Sequence, residues 1–311
     1  MVDDRRSGVV GLLAELYRRG SQTWILGITG TPGAGKSTLT NQMIRQFRSE
    51  SLRVGVVAVD PSSPFSGGAI LGDRIRMQDH FEDAGVFIRS VATRGAQGGL
   101  SRTARDIALV LGVWGADIVV LETVGVGQDE LDVTRAADTT VVVVPPGMGD
   151  EIQATKAGLL ECADVFALNK SDLPGAAQTR SQIEMMMSLG AALSPTSGSA
   201  SASGSGPKGS DEPWQVPICS CVGTTGEGVG DLINELRRHR RWTEDSSLGI
   251  AAARARQYAG WRTRLRQELV HEFEAEHSEL AKQVARQITD GDLDPEEGFE
   301  QIRELLRPRA R

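Results

Sequence analysis

Residues Gly30-Thr31-Pro32-Gly33-Ala34-Gly35-Lys36-Ser37, followed by Thr38, form a complete G-x-x-x-x-G-K-S string. Such a string has a narrow physical use: it wraps backbone N–H groups around the β-phosphate of a nucleotide. Glycine lets the backbone turn tightly and approach the phosphates. A helix N-terminus just behind it adds partial positive charge. In this role Lys36 would neutralise the β- and γ-phosphates, and the Ser37 hydroxyl would coordinate Mg²⁺. Two flanking patterns supply the context that this reading needs. Trp24-Ile25-Leu26-Gly27-Ile28 is a short apolar run suited to a buried strand, and residues 38–47 carry apolar side chains at 39, 43, 44 and 47, which is helical spacing.

A second string, Asn169-Lys170-Ser171-Asp172, fits N-K-x-D and directly follows a predicted strand. A carboxylate at Asp172 can accept hydrogen bonds from guanine N1 and from its exocyclic amine. Adenine offers neither in that geometry, so the pair of strings points to GTP over ATP. The alternative for Asp172 is a helix cap. Cys219-Ser220-Cys221, with Gly226-Glu227-Gly228 behind it, fits a second base-contacting loop whose backbone N–H groups reach guanine O6. Its Cys-x-Cys spacing alone does not make a metal site, since the third cysteine is Cys162 and the four histidines are scattered.

Acidic residues stand at the ends of other predicted strands. Glu122 precedes Thr123-Val124-Gly125, where a carboxylate can hold the Mg²⁺ hydration shell and the Gly125 N–H can bond a γ-phosphate. Losing that bond on hydrolysis would be a physical switch. Asp60 closes a second strand beside the glycine loop. Asp73 either approaches the Mg²⁺ or the attacking water, or caps a helix. Arg76 and Arg94 either stabilise transition-state charge or are ordinary surface residues. Val126 follows Gly125, and a valine cannot orient water, so slow intrinsic hydrolysis is expected. Gln128 is a nearby substitute.

Apolar runs at 54–59, 86–91, 117–122, 139–144, 165–169 and 216–220 join the first strand. Predicted helices fall at 38–49, 73–84, 101–114, 150–161, 180–190 and 229–240, with a short one at 8–19. This alternation predicts an α/β fold: a mainly parallel seven-stranded sheet covered by helices on both faces. Ligands of such sheets sit at the carboxyl ends of the strands, where Asp60, Glu122 and Asn169 fall. The predicted divisions are an N-terminal helical segment (1–22), a nucleotide-binding domain (23–245) and a C-terminal helical region (246–311). A flexible Ser/Gly stretch occupies 191–213 within the second. In the third, Tyr258, Trp261, Leu265, Leu269 and Phe273 recur at three- or four-residue spacing, and Asp294-Pro295-Glu296-Glu297 is a helix start. That region is either an appendage packed on the domain or a module for dimerisation or partner binding.

The chain has 311 residues, 40% hydrophobic and 24% charged, with net charge −7. That composition is ordinary for a globular protein and argues against a broad basic surface for nucleic acid. No apolar run approaches the about 18 residues that span a bilayer. The first residues lead into an amphipathic stretch rather than a secretory core, and three cysteines make no disulfide framework, so a cytoplasmic protein is expected.

Taken together, these strings resemble the MeaB/ArgK family of the SIMIBI class of P-loop GTPases, also described as LAO/AO transport system kinases. The most specific are Ala58-Val59-Asp60-Pro61-Ser62-Ser63, Ile70-Leu71-Gly72-Asp73-Arg74-Ile75-Arg76-Met77, Glu122-Thr123-Val124-Gly125-Val126-Gly127-Gln128 and Met148 to Gly158. The resemblance covers about residues 24–310. It implies that Lys36 and Ser37 bind phosphate and Mg²⁺, and that Asp60, Asp73 and Glu122 form an acidic site for the metal and water. It implies that Pro146 to Lys156 is a third switch region, with Gln153 and Lys156 as couplers. The implied role is a G-protein chaperone that gates adenosylcobalamin delivery to a cobalamin-dependent acyl-CoA mutase and protects or reactivates it. A methylmalonyl-CoA mutase or an isobutyryl-type enzyme is equally compatible. An adenosyltransferase is a further candidate partner, and the C-terminal helices would form a homodimer. Thr31 stands where MinD-type loops carry lysine, so dimer-dependent lysine catalysis is not implied. Competing functions are a metal-insertion GTPase of the urease/hydrogenase accessory type, a kinase acting on a transport protein, and a nucleotide-dependent scaffold.

Overall fold

The computed structural model describes residues 9–19, 22–60, 77–92, 99–123, 129–147, 162–193 and 212–306. Within these, seven apolar runs form strands: β1 (Trp24–Gly30), β2 (Val54–Asp60), β3 (Val86–Ala92), β4 (Ile118–Thr123), β5 (Thr139–Val144), β6 (Val165–Asn169) and β7 (Ile218–Cys221). They pair in the order β3-β2-β4-β1-β5-β6-β7, every pair parallel. β1 is central, and the chain builds outward from it in both directions. This places the end of β1 at the crevice where open parallel sheets bind ligands.

The strands read as nearly continuous apolar runs because both faces are covered. Side chains alternate between two cores. Leu26, Ile28, Ile118 and Val120 face one, with Leu39, Met43, Ile44 and Phe47 of α2 (Lys36–Ser49) and Leu232, Ile233 and Leu236 of α6 (Val229–Asp245). Ile25, Val119 and Leu121 face the other, under α3 (Gly99–Trp114) and α4 (Asp129–Ala136). Val142, Val144 and Phe166 pack with Ile183 of α5 (Ala176–Leu193). α1 (Val9–Arg19) precedes β1.

Two expectations change in the described residues. The helix expected at 73–84 is, from residue 77 on, a 3₁₀ turn at Gln78–His80 followed by turns. The Asp83 carboxylate accepts the Gly85 N–H at 2.8 Å and takes both Nε and Nη2 of Arg48 at 2.8 and 2.9 Å. This local side-chain-to-backbone bond competes with helix and turns the chain into β3. The helix α4 was not expected. It has only eight residues, mostly polar, and among those described Val133, Thr134 and Ala136 are buried. It can lie close to the sheet because Gly27 faces it: a Cβ at Gly27 would come within 2.9 Å of the Ala137 Cβ. The helices also extend past the expected limits, α2 beginning at Lys36 rather than 38 and α5 running from 176 to 193. The strand expected at 216–220 runs from Ile218 to Cys221. The helix expected at 150–161 and most of the Ser/Gly stretch lie outside the described residues.

At the amino ends of the strands a buried polar network joins four elements. Thr139 opens β5, and its hydroxyl lies 2.9 Å from His239 Nδ1 and accepts the Trp24 Nε1–H at 3.1 Å. His239 Nε2 is 3.3 Å from Asp164 Oδ1. These contacts assign the imidazole proton to Nε2, with Nδ1 accepting from Thr139. Asp164 also accepts the Thr140 N–H and both Nη groups of Arg256, at 2.7–2.9 Å. Burial pushes the Asp164 carboxyl up, but His239 and Arg256 overcome it and hold it below the ordinary value.

The described chain divides into two units, Met1–Gly260 and Trp261–Arg311. The long helix α7 (Ser247–Asp290) runs from the first into the second, with a kink at His277. In the second unit, α7 is followed by α8 (Pro295–Leu306), which Asp294 caps by accepting the Glu296 N–H at 2.8 Å. Val284 is buried there, while Trp261, Leu265 and Leu269, four residues apart, are exposed.

Candidate nucleotide site

β1 delivers the chain to Gly30 and α2 begins at Lys36, so residues 31–35 make a tight strand-to-helix turn. Gly35 sits at the N-cap with φ 86° and ψ 29°, a left-handed conformation costly for other residues. A Cβ there would also lie 2.5 Å from Asn169 Nδ2. Lys36 and Ser37 are buried in the first turn of α2. The Lys36 ammonium folds back over the loop, donating to the Gly30 carbonyl at 2.8 Å and the Thr31 carbonyl at 3.0 Å. The amides that open a helix have no carbonyl one turn back, so the first turn of α2 offers donors to an anion with the helix dipole behind them.

Asn169, the last residue of β6, ties two further loops to this turn. Its Nδ2 donates to the Ala34 carbonyl at 2.8 Å, and its Oδ1 accepts the Gly223 N–H at 2.9 Å. Lys170, at φ 58°, reaches the Gly33 carbonyl with Nζ at 2.8 Å. Ser171 donates through both N and Oγ to the Cys221 carbonyl, at 3.0 and 3.1 Å. Asp172 stands just beyond, exposed. Thus the loops after β1, β6 and β7, distant in sequence, form one assembly at the carboxyl edge.

Of the three residues expected at the second base-contacting loop, Cys219 and Cys221 turn their side chains into the core, and Ser220 alone points outward. Burial, with Glu235 and Asp231 nearby, pushes the Cys219 thiol up to about 11; burial first, then Cys219 and Asp231, push Cys221 up to about 12. Both thiols therefore stay protonated at neutral pH and act as apolar packing. The loop that closes on Asn169 begins one residue later, at Val222 and Gly223.

Glu122, 1% exposed, is the penultimate residue of β4, in register with Ile28 of β1 and Ala58 of β2. By alternation it follows Ile118 and Val120 onto the face that α2 covers. Next to it, the Thr123 hydroxyl lies 3.3 Å from that of Thr29. The backbone of Asp60 ends the neighbouring strand β2 at the same edge. Asp73, Arg76, Arg94, Gly125, Val126, Gln128, Gln153 and Lys156 lie outside the described residues. The chain from Met77 on is pinned to α2. Met77 is buried in the same core, and His80 Nε2 lies 2.5 Å from Asn41 Oδ1. Burial first, and then the charge of Arg45, lower the His80 pKa, which favours neutral imidazole.

An all-parallel sheet with a G-x-x-x-x-G-K-S turn at the end of its central strand, interlocked with an N-K-x-D loop, defines a P-loop GTPase. The profile of the methylmalonyl Co-A mutase-associated GTPase MeaB family matches residues 2–278. The chain belongs to that family and is a GTP hydrolase. It is 41% identical to a putative GTPase of Pyrococcus horikoshii over 295 residues, 95% of this chain and 88% of the relative. It is 32% identical to the mitochondrial methylmalonic aciduria type A homolog of Mus musculus, over 90% of this chain and 65% of that one. Among solved structures, an LAO/AO transport system kinase shares the fold, with TM-score 0.67, 24% identity, and coverage of 99% of this chain and 91% of the other.

Proposed function

We propose that this GTPase is a chaperone for a cobalamin-dependent acyl-CoA mutase, coupling GTP hydrolysis to adenosylcobalamin delivery and to protection of the mutase. The observation that carries this reading is the family match across residues 2–278, whose description names a mutase-associated GTPase. Similarity to the methylmalonic aciduria type A homolog points the same way.

In this reading Gly30 to Thr38 cradle the phosphates through backbone N–H groups, and Lys36 exchanges its two carbonyl contacts for β- and γ-phosphate oxygens. Asn169 and Lys170 brace the loop, while Asp172 selects guanine. The backbone after β7 reaches guanine O6, so the roles assigned to Cys219, Ser220 and Cys221 fall to the main chain. Gly125 is assigned the γ-phosphate.

The donors at the carboxyl edge fit a divalent cation. The Ser37 hydroxyl and the Glu122 and Asp60 carboxylates are hard oxygen ligands of the kind Mg²⁺ takes, with Asp73 as the fourth candidate. When bound, the ion would neutralise charge on the phosphates. The protein's own part is to hold the nucleotide in line, keep the Glu122 carboxyl near the reacting end and limit access of water. The exposed stripe of Trp261, Leu265 and Leu269 supports a homodimer through the C-terminal helices.

GTP and ATP hydrolysis, each with and without a cobalamin-dependent mutase from the same source, tests the proposal. Slow GTP-only turnover that the mutase accelerates is expected. Equal use of ATP would sink the role of Asp172, and indifference to any such mutase would sink the chaperone assignment.

A further inference from the structure

The amino edge of the sheet holds a recess that nucleotide chemistry leaves unused. Its floor is Trp24 and Ile118, the first residues of β1 and β4, with Leu52 beside them. One wall is the C-terminal half of α6, which presents Arg237, Arg240 and Arg241. The cavity measures about 680 Å³, within the range of small-ligand sites. A second cavity of about 560 Å³ shares Trp24 and Arg240 and adds Arg105 and Arg256.

Arginines gather here in a chain whose net charge is −7. Five arginines line the two cavities with three carboxylates, and two of the arginines are paired from outside the cavities, Arg237 with Glu50 and Arg256 with Asp164. Asp117 accepts the Arg53 N–H at 2.7 Å, Asp138 accepts the Ile25 N–H at 2.9 Å, and Glu244 takes Arg240 Nε at 2.8 Å. Arg241 is exposed and makes no hydrogen bond or ion pair among the described residues. Arg240 also donates Nη2 to the Gln22 carbonyl at 3.4 Å, and its guanidinium lies 5.4 Å from the centre of the Trp24 ring. Cations near a helix C-terminus are favourable in themselves. That accounts for arginines on α6 but not for a concave, aromatic-floored cavity beneath them.

We propose that this recess is an anion site for a phosphate-bearing small molecule, with Arg240 and Arg241 taking the phosphate. Guanidinium forks bind phosphate oxygens bidentately, and a recess over Trp24 and Leu52 suits the apolar body of a compact ligand better than an acidic peptide. The site is separate from the glycine loop. The six steps from Trp24 to Gly30 span about 20 Å, so both sites can be filled together.

Calorimetric titration of the GDP-saturated full chain with inorganic pyrophosphate at low salt is the test. Saturable one-to-one binding is expected. It should weaken by at least about tenfold in the Arg240→Ala/Arg241→Ala double variant, as loss of charge-assisted hydrogen bonds implies. Arg241→Ala alone, at an exposed side chain, carries the test if the double variant unfolds. Lys36→Ala, titrated without nucleotide, should retain the binding. The proposal is overturned by an absence of saturable binding to the GDP-loaded chain. It is equally overturned by binding that Lys36→Ala abolishes and the arginine variants keep, or by an acidic peptide that occupies the recess where pyrophosphate does not.

Discussion

The two edges of the sheet solve opposite problems with similar residues. At the carboxyl edge, Lys36, Asn169 and Lys170 spend their polar groups on backbone carbonyls of the glycine loop. Loops are braced against loops, and the arrangement stays available for a ligand. At the amino edge, Asp164, His239, Thr139 and Arg256 spend theirs on one another, the first three nearly out of solvent and Arg256 half-buried. There the polar groups close the structure by locking α6 and α7 to β5 and β6. A site that binds needs groups whose partners can be exchanged at little cost. A site that staples needs groups whose partners cannot, because a buried charge left alone is expensive.

The largest expected effect lies at the exchanging edge. Lys36→Ala should lower GTP turnover by roughly 10² or more, as removal of a positioned transition-state donor does, while leaving the unfolding midpoint in urea near that of the parent. A large loss of stability instead would make Lys36 a staple. At the stapling edge the outcome should invert. Asp164→Ala strands Arg256 and should destabilise the fold by about 3 kcal/mol in urea denaturation, with turnover of the folded fraction little changed. A catalytic defect without a stability defect would break the comparison.

Asp172→Ala should raise the KM for GTP by about tenfold or more, the cost of losing charged hydrogen bonds to the base, with no matching change for ATP. Parallel changes for both nucleotides would remove its assigned specificity. The smallest effect is pH dependence. Asp164 has its pKa depressed by folding, so its contribution is present above the unfolded aspartate value of about 3.9 and disappears as pH falls through the lower folded value. Acid unfolding followed by circular dichroism should show that loss, and Asp164→Asn should flatten the profile in this window. His80 behaves similarly higher up: its pKa is lowered, so its contribution is lost as pH falls below the unfolded value of about 6.5. His80→Gln should remove that step.

The strands were legible because burial on both faces leaves an unbroken apolar run. β5 and β6 have the residue limits that their sequences predict. The glycine loop and N-K-x-D were legible because each is contiguous and constrained by the shape of one ligand. What escaped were features with no local signature. α4 carries too few apolar residues to show a period, and its place depends on the missing side chain of Gly27. The turn after residue 80 depends on Arg48, more than thirty positions earlier, meeting Asp83. Cys219 and Cys221 were given a base-contacting role although the predicted strand already held Cys219, and only the packing of α6 decides that their thiols are core.

By itself, then, the sequence determined the kind of sheet, the nucleotide it serves and the loops that touch it, since these follow from local periodicity and from short strings under steric demand. Only the tertiary structure decided that Asn169 bridges Ala34 and Gly223, that Thr139, Asp164, His239 and Arg256 form one network, and that Arg240 of α6 overhangs Trp24. Those are contacts between residues scores of positions apart. No local preference encodes them, because their energy exists only once the sheet has brought the partners within hydrogen-bonding distance.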